Sequence, residues 1–213
     1  MTTPTAFPIS DDQIKRLQLG AVIIFPTETI YGIGCSAWCD EALQRIYKIK
    51  GRAAEIPPPI LIHDGQQLST LVAYVPTAAA VLMEKYWPGA LTLIFPAHPD
   101  LPASLSGFSA DKKIRTVGIR LTAHPISQTL CHEVNAPIIA TSANFSGATG
   151  RAAAPESLSD IPQNFQNQVD IIVDGGVLRG EPSTVVDCTC SPPRVLRKGA
   201  ISISEEELKI CAA

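Results

Sequence analysis

The sequence predicts an α/β fold, an open and twisted mixed sheet with helices packed on its faces. Three observations carry that expectation. Short apolar runs, partly β-branched, alternate with amphipathic helical segments along most of the 213 residues. The end of the chain turns strand-rich, which argues for a mixed sheet rather than a purely parallel one. A composition of 46% hydrophobic against 17% charged residues excludes a disordered chain and supplies an aliphatic core. The length suits one domain, 1–213, with its core from about 11 to 200.

In chain order, Ser10 and Gln13 frame a capping box, and Ile14 and Leu17 give the helix that follows an apolar side before Gly20 stops it. AVIIF (21–25) is a buried strand that empties into the loop PTETIYGIG (26–34). Asp40 caps a helix with Leu43, Ile46 and Tyr47 on one face, ending near Lys50-Gly51-Arg52. Three prolines place the start of the strand Ile60–Ile62, and Asp64 opens another helical stretch. A helix over 76–86 stops before Pro88-Gly89, and LTLIF (91–95) is the next strand. Further strands are expected at Val117–Leu121, Ile138–Ala140, Val169–Val173, Thr184–Asp187 and Arg194–Leu196, with a helix at 125–134. Residues 148–168 read as a long loop with one helical turn, and Ser204 with Glu207 caps a last short helix.

Bulk properties narrow the function classes. A formal net charge of −3 gives no general attraction to nucleic acid or to an anionic membrane, while leaving room for a local basic pocket. The start MTTPTAFPIS has no basic segment followed by an apolar one, and no apolar run approaches spanning length. A cytoplasmic protein with no membrane partner is therefore expected. Its six cysteines are then reduced thiols, since Cys35-x3-Cys39 and Cys188-x-Cys190 lack the spacing of a zinc knuckle.

Chemistry-bearing residues gather at strand ends, where α/β folds place ligands. The loop PTETIYGIG offers Thr27, Thr29 and Tyr31 as polar groups, with glycines for close backbone approach. Lys50 and Arg52 set two cations either side of Gly51, a mobile point charge and a bidentate fork that suit a triphosphate. TSANFSG (141–147) delivers hydroxyls and an amide able to hold phosphate oxygens. Each segment alone also fits an ordinary turn or helix end.

Taken in order, PTETIYGIG, KGR, TVGIR, TSANFSG, STVVD and RKG resemble the YrdC/Sua5 family, over roughly residues 11 to 200. That resemblance implies a YrdC-like fold and a nucleotidyltransferase, L-threonylcarbamoyladenylate synthase. ATP, L-threonine and bicarbonate would give threonylcarbamoyl-AMP and pyrophosphate, for N6-threonylcarbamoyladenosine modification of tRNA. It places Lys50 and Arg52 at the family's KxR motif as the catalytic cations, and Ser142 and Asn144 at its SxN motif. With Thr116, Gly150 and Arg197 these residues would hold ATP, while Thr29, Tyr31, Arg120 and Ser183 would hold threonine. Arg120 would pair, as an isolated fork, with the amino acid's carboxylate. Mg2+ is expected with the ATP and not on protein side chains; a downstream threonylcarbamoyl transferase is the expected partner, with tRNA met indirectly or weakly. The sequence departs from the family after Arg52: Leu61 occupies the place of a threonine-contacting histidine, and His63 is assigned no role. The rival readings are the similar domain of hydrogenase maturation factors, a double-stranded RNA-binding module, and a catalytically silent paralogue.

Overall fold

The computed structural model describes residues 9–51 and 57–211. Among the described residues ten strands form one sheet: β1 (Ile23–Phe25), β2 (Gly32–Ser36), β3 (Ile60–Ile62), β4 (Leu91–Pro96), β5 (Gly107–Phe108), β6 (Arg115–Leu121), β7 (Ile138–Ser142), β8 (Ile171–Ile172), β9 (Thr184–Asp187) and β10 (Arg194–Arg197). Their order is β10-β9-β4-β6-β3-β7-β2-β1-β8, with β5 added on β6. The pairs β1/β8, β3/β6 and β4/β9 are parallel and the rest antiparallel, so the sheet is mixed, as expected.

Side chains alternate across a strand, and the central strands bury both faces. Ile24, Ile60, Ile62 and Ile139 join one apolar cluster, whereas Ile23, Phe25, Leu61, Ile138 and Ala140 join the other. The helices α2 (Asp40–Lys50), α3 (Thr77–Tyr86) and α6 (Glu205–Cys211) contribute to the first cluster, and α1 (Asp11–Gln18) and α4 (Pro125–Val134) to the second. A four-residue helix, α5 (Gln163–Gln166), adds Phe165, whose ring meets Phe145 edge-on at 5.0 Å.

Several local expectations need correction. The second half of PTETIYGIG is not loop: Gly32–Ser36 is β2, fully buried between β1 and β7. Its glycines, expected to give close backbone approach, do so inside the sheet, because a Cβ on Gly34 would collide with the Ile139 carbonyl. Cys39, not Asp40, is the N-cap of α2, and Asp40 is the first helical residue. The stretch after Asp64 is a 3-10 helix, Gly65–Thr70. The strand expected at Val169–Val173 is shortened to Ile171–Ile172, with the Asp170 and Val173 amides also donating to the Val22 and Ile24 carbonyls. Residues 148–168 hold two 3-10 turns as well as α5. At the C-terminal helix, Ser204 does accept the Glu207 amide, yet the Glu207 carboxylate turns away to Lys85 Nζ at 2.7 Å and Tyr86 Oη at 2.8 Å, pinning α6 to α3.

Candidate functional site

A cleft of about 570 Å³ opens along the sheet, within the size range of small-molecule sites. It collects residues from β6, β7, β9, β10 and the β1–β2 loop, which lie far apart in sequence. Of the residues expected in the site, Tyr31, Thr116, Arg120, Ser142, Ser183 and Arg197 line it. Its described charged lining is Arg120, Arg194 and Arg197 against Asp187 alone, a local positive surplus in a chain of net charge −3.

The inner end is built on Arg120, 6% exposed near the end of β6. It is not the isolated fork expected. Its Nη1 donates to Glu28 Oε1 at 2.5 Å and to Thr29 Oγ1 at 3.3 Å. The other Glu28 oxygen accepts from Thr122 Oγ1 at 2.6 Å. Thr29 in turn meets Thr27 hydroxyl to hydroxyl at 2.8 Å, and Thr27 donates to the Ile30 carbonyl. Burial lowers the Arg120 pKa, and the Glu28 carboxylate opposes that shift. Glu28 itself was not singled out in the sequence: one acid between two threonines gives no sign that its partner is an arginine 92 residues away.

Tyr31 is fully buried and borders the cleft, but its hydroxyl is already in use. It donates toward Asp174 Oδ1 at 3.1 Å and the Gly176 carbonyl at 2.9 Å, and accepts from the Gly175 amide at 2.8 Å. Burial first, and then Asp174, push its pKa up to about 12, against the Gly175 amide. Tyr31 therefore anchors the segment after β8 over the β1–β2 loop. That segment also needs Gly180, where a side chain would strike the Glu28 and Thr29 carbonyls.

Ser183 and Arg197 form one unit. Arg197 Nε and Nη2 donate to the Ser183 carbonyl at 3.0 and 2.9 Å, Nη2 also reaches Ser183 Oγ at 3.0 Å, and Ser183 Oγ meets Thr92 Oγ1 at 2.9 Å. Burial and then the charge of Arg120 lower the Arg197 pKa. Two like charges thus face the same space, an arrangement that an anion between them would relieve.

The KxR and SxN residues come together in an unexpected way. Lys50 does not line the cleft; it is 4% exposed at the end of α2, and its Nζ donates to the carbonyls of Ser142 (2.5 Å) and Asn144 (2.9 Å) and to Asn144 Oδ1 (3.0 Å). These three acceptors, among the described residues, turn the ammonium toward the frame of the turn. Ser142 Oγ donates to Asn144 Oδ1 at 2.6 Å, and Asn144 Nδ2 to the Ala153 carbonyl, so only Ser142 of this trio lines the cleft. Gly150 is not part of the lining either; it begins a 3-10 turn at φ +60 whose last residue, Ala153, is the one at the cleft. Arg52 lies outside the described residues.

His63 sits apart, with His132, Gln128 and Thr129 around a second, smaller hollow. Among the described residues no group of three or more His, Cys, Asp or Glu could hold a metal ion, and no helix is long and apolar enough to cross a membrane.

Fold and cleft together define an α/β domain with one large, positively lined ligand cleft. Residues 15–199 match the Sua5/YciO/YrdC family model, described as "Telomere recombination", and the chain belongs to that family. It is 38% identical to threonylcarbamoyl-AMP synthase of Pyrococcus abyssi over 88% of this chain and 53% of the relative. It is also 38% identical to the Bacillus subtilis protein of the same name, over 94% and 57% respectively. The chain thus spans little more than half the length of these curated relatives. The crystal structure of P. abyssi Sua5 complexed with L-threonine superimposes with a TM-score of 0.82 at 35% identity, covering 95% of this chain and 58% of that one.

Proposed function

We propose that the cleft is the active site of a threonylcarbamoyl-AMP synthase, a nucleotidyltransferase that joins ATP, L-threonine and bicarbonate. The observation that carries this reading is the charge of the lining, three arginines to one aspartate, in a chain that belongs to this family and is otherwise acidic. All the substrates are anions or carry a carboxylate. The names of the relatives and the threonine-bound neighbour support the same choice.

In this reading Arg120 takes the threonine carboxylate, with Thr29 and Ser183 nearby; Tyr31 borders the pocket. The nucleotide extends past Ser142 and Thr116, with Arg197 toward its phosphates; the family's KxR motif assigns Arg52 to the same phosphates. The threonine amine attacks the carbon of CO2, or of bicarbonate with loss of water, and gives up a proton to form a carbamate. A carbamate oxygen then attacks the α-phosphorus of ATP and pyrophosphate leaves. No covalent enzyme intermediate is required; catalysis comes from proximity and from neutralising charge on the phosphates. Mg2+ would arrive on the phosphates of the nucleotide and supply further charge neutralisation there; the Asp187 carboxylate on β9 and the Thr141 and Ser142 hydroxyls on β7 are separated by β4, β6 and β3 and form no common donor set for it. The product, a mixed anhydride, would pass to a threonylcarbamoyl transferase acting on tRNA. Membership of the family and the threonine-bound neighbour favour this reading over a duplex-RNA binder.

The test is pyrophosphate release from ATP with bicarbonate present, comparing threonine, serine and no amino acid. Release should require ATP, bicarbonate and threonine together. Equal turnover without threonine overturns the assignment.

A further inference from the structure

Resting on the reading of Arg120 as the carboxylate-binding group, we propose that Glu28 is the positioning residue that aims Arg120 into the cleft. Glu28 belongs to the β1–β2 loop, yet its partners lie at the end of β6, beyond β7 and β3 in the sheet order. Its carboxylate is held at both oxygens, Oε1 by Arg120 and Oε2 by Thr122. Arg120 and Thr122 are two residues apart in extended chain, so both side chains emerge on the same face to grip it. Thr122 is fully buried, which fixes the second point of the clamp.

The consequence for Arg120 follows from its donors. A guanidinium has five N–H groups in a rigid plane. Nη1 is spent on Glu28 and Thr29, while Nε and Nη2 make no hydrogen bond to any described residue. Arg120 lines the cleft, so the unspent edge is the one a ligand carboxylate can meet bidentately. Without an anchor that edge would not stay in place, because Arg197 brings a like charge to the same space and is itself held by Ser183. Glu28 does not line the cleft, and both of its oxygens are occupied. It therefore acts through Arg120 and does not take the proton from the substrate amine.

The experiment combines two readouts on wild type, Glu28→Ala, Glu28→Gln and Thr122→Val: calorimetric titration with threonine and with ATP, and 15N relaxation of the Arg120 Nε group in the free protein. Glu28→Ala should lower threonine affinity by about tenfold or more, leave ATP affinity within about threefold, and raise the mobility of Arg120 Nε. Glu28→Gln should restore most of both, since its amide oxygen can accept from Nη1 while its NH2 donates to Thr122. Wild-type threonine affinity in Glu28→Ala, equal losses for ATP and threonine, or a Gln variant as impaired as Ala would each overturn the proposal. Should Glu28→Ala fail to fold, Thr122→Val frees one clamp oxygen and should still mobilise Arg120; an unchanged Arg120 signal there also overturns it. A wild-type protein that binds no threonine sinks the functional reading alone, because Arg120 mobility decides the positioning role without any substrate.

Discussion

Lys50 and Arg120 are two nearly dry cations beside the same cleft, and the protein satisfies them in opposite ways. Among the described residues Lys50 donates to three uncharged oxygens of the Ser142–Asn144 turn. Arg120 spends one nitrogen on a carboxylate and a hydroxyl and keeps the rest of its fork for the cleft. The donors left over separate a cation that builds the frame from one that meets a ligand. Equal burial, 4% and 6%, would not have told them apart.

The largest expected effect tests the first half of that contrast. Lys50→Met keeps most of the apolar stem and removes the ammonium, which strands the Asn144 carbonyl in a half-buried turn, while the Ser142 carbonyl keeps the Asn144 amide and Asn144 Oδ1 keeps the Ser142 hydroxyl. One stranded acceptor and two that lose a charged donor cost on the order of 1–3 kcal/mol together, and that loss should appear as a lower urea midpoint, together with poor ATP use. A variant as stable as wild type that had lost only ATP affinity would make Lys50 a ligand-facing group and erase the contrast.

A smaller effect tests the second half. Arg120→Ala should weaken threonine binding by roughly ten- to a hundredfold with ATP affinity nearly unchanged, as expected for losing a charge-assisted pair of about 1.5–3 kcal/mol. Arg52→Ala should do the reverse. Titration of each variant with each substrate separately decides the matter: if Arg52→Ala left ATP affinity intact and abolished threonine binding, the division of the cleft would be reversed.

The same two residues mark how far the sequence could be read. Local signals were legible: the Ser10–Gln13 capping box is present with both of its bonds, and the strand preceding TSANFSG ends at the cleft as its position after Ile138-Ile139 suggested. Signals that depend on distant partners were not. Nothing near Lys50 says that its ammonium is taken by residues 92 and 94 positions on, and nothing near Tyr31 says that residues 143 to 145 positions on take its hydroxyl. Side-chain type gave the chemistry available at each position; how much of it stays available is decided by long-range hydrogen bonds. Strand β2 escaped for a related reason, because its glycines answer to the Ile139 carbonyl and the Phe25 ring across the sheet and not to a turn.

The smallest effect contrasts two histidines and concerns pH. His63 and His124 each bury an Nδ1 with no hydrogen-bond partner, and burial lowers the pKa of both. They differ in their neighbours. The Glu28 carboxylate pulls the His124 pKa back up, whereas His132, with its ring centroid 5.3 Å from that of His63, pushes the His63 pKa down further, with Asp64 and Gln67 opposing. For His63 the folded pKa lies below the unfolded value of 6.5, so between the two the unfolded chain holds a proton that the folded chain refuses. Stability is then full above pH 6.5 and is lost as the pH falls below it toward the folded pKa. His63→Gln removes the titration and keeps a polar side chain against Gln128 and Thr129. Between pH 7.5 and 5.5 the variant's melting temperature should fall less than that of wild type, by about 1–2 °C for a group this partially screened. Parallel curves for the two proteins would show that the acid-labile proton is taken up elsewhere, with His124 beside the Glu28–Arg120 pair the next place to look, and there the loss of stability would be accompanied by a loss of threonine affinity that His63 would not produce.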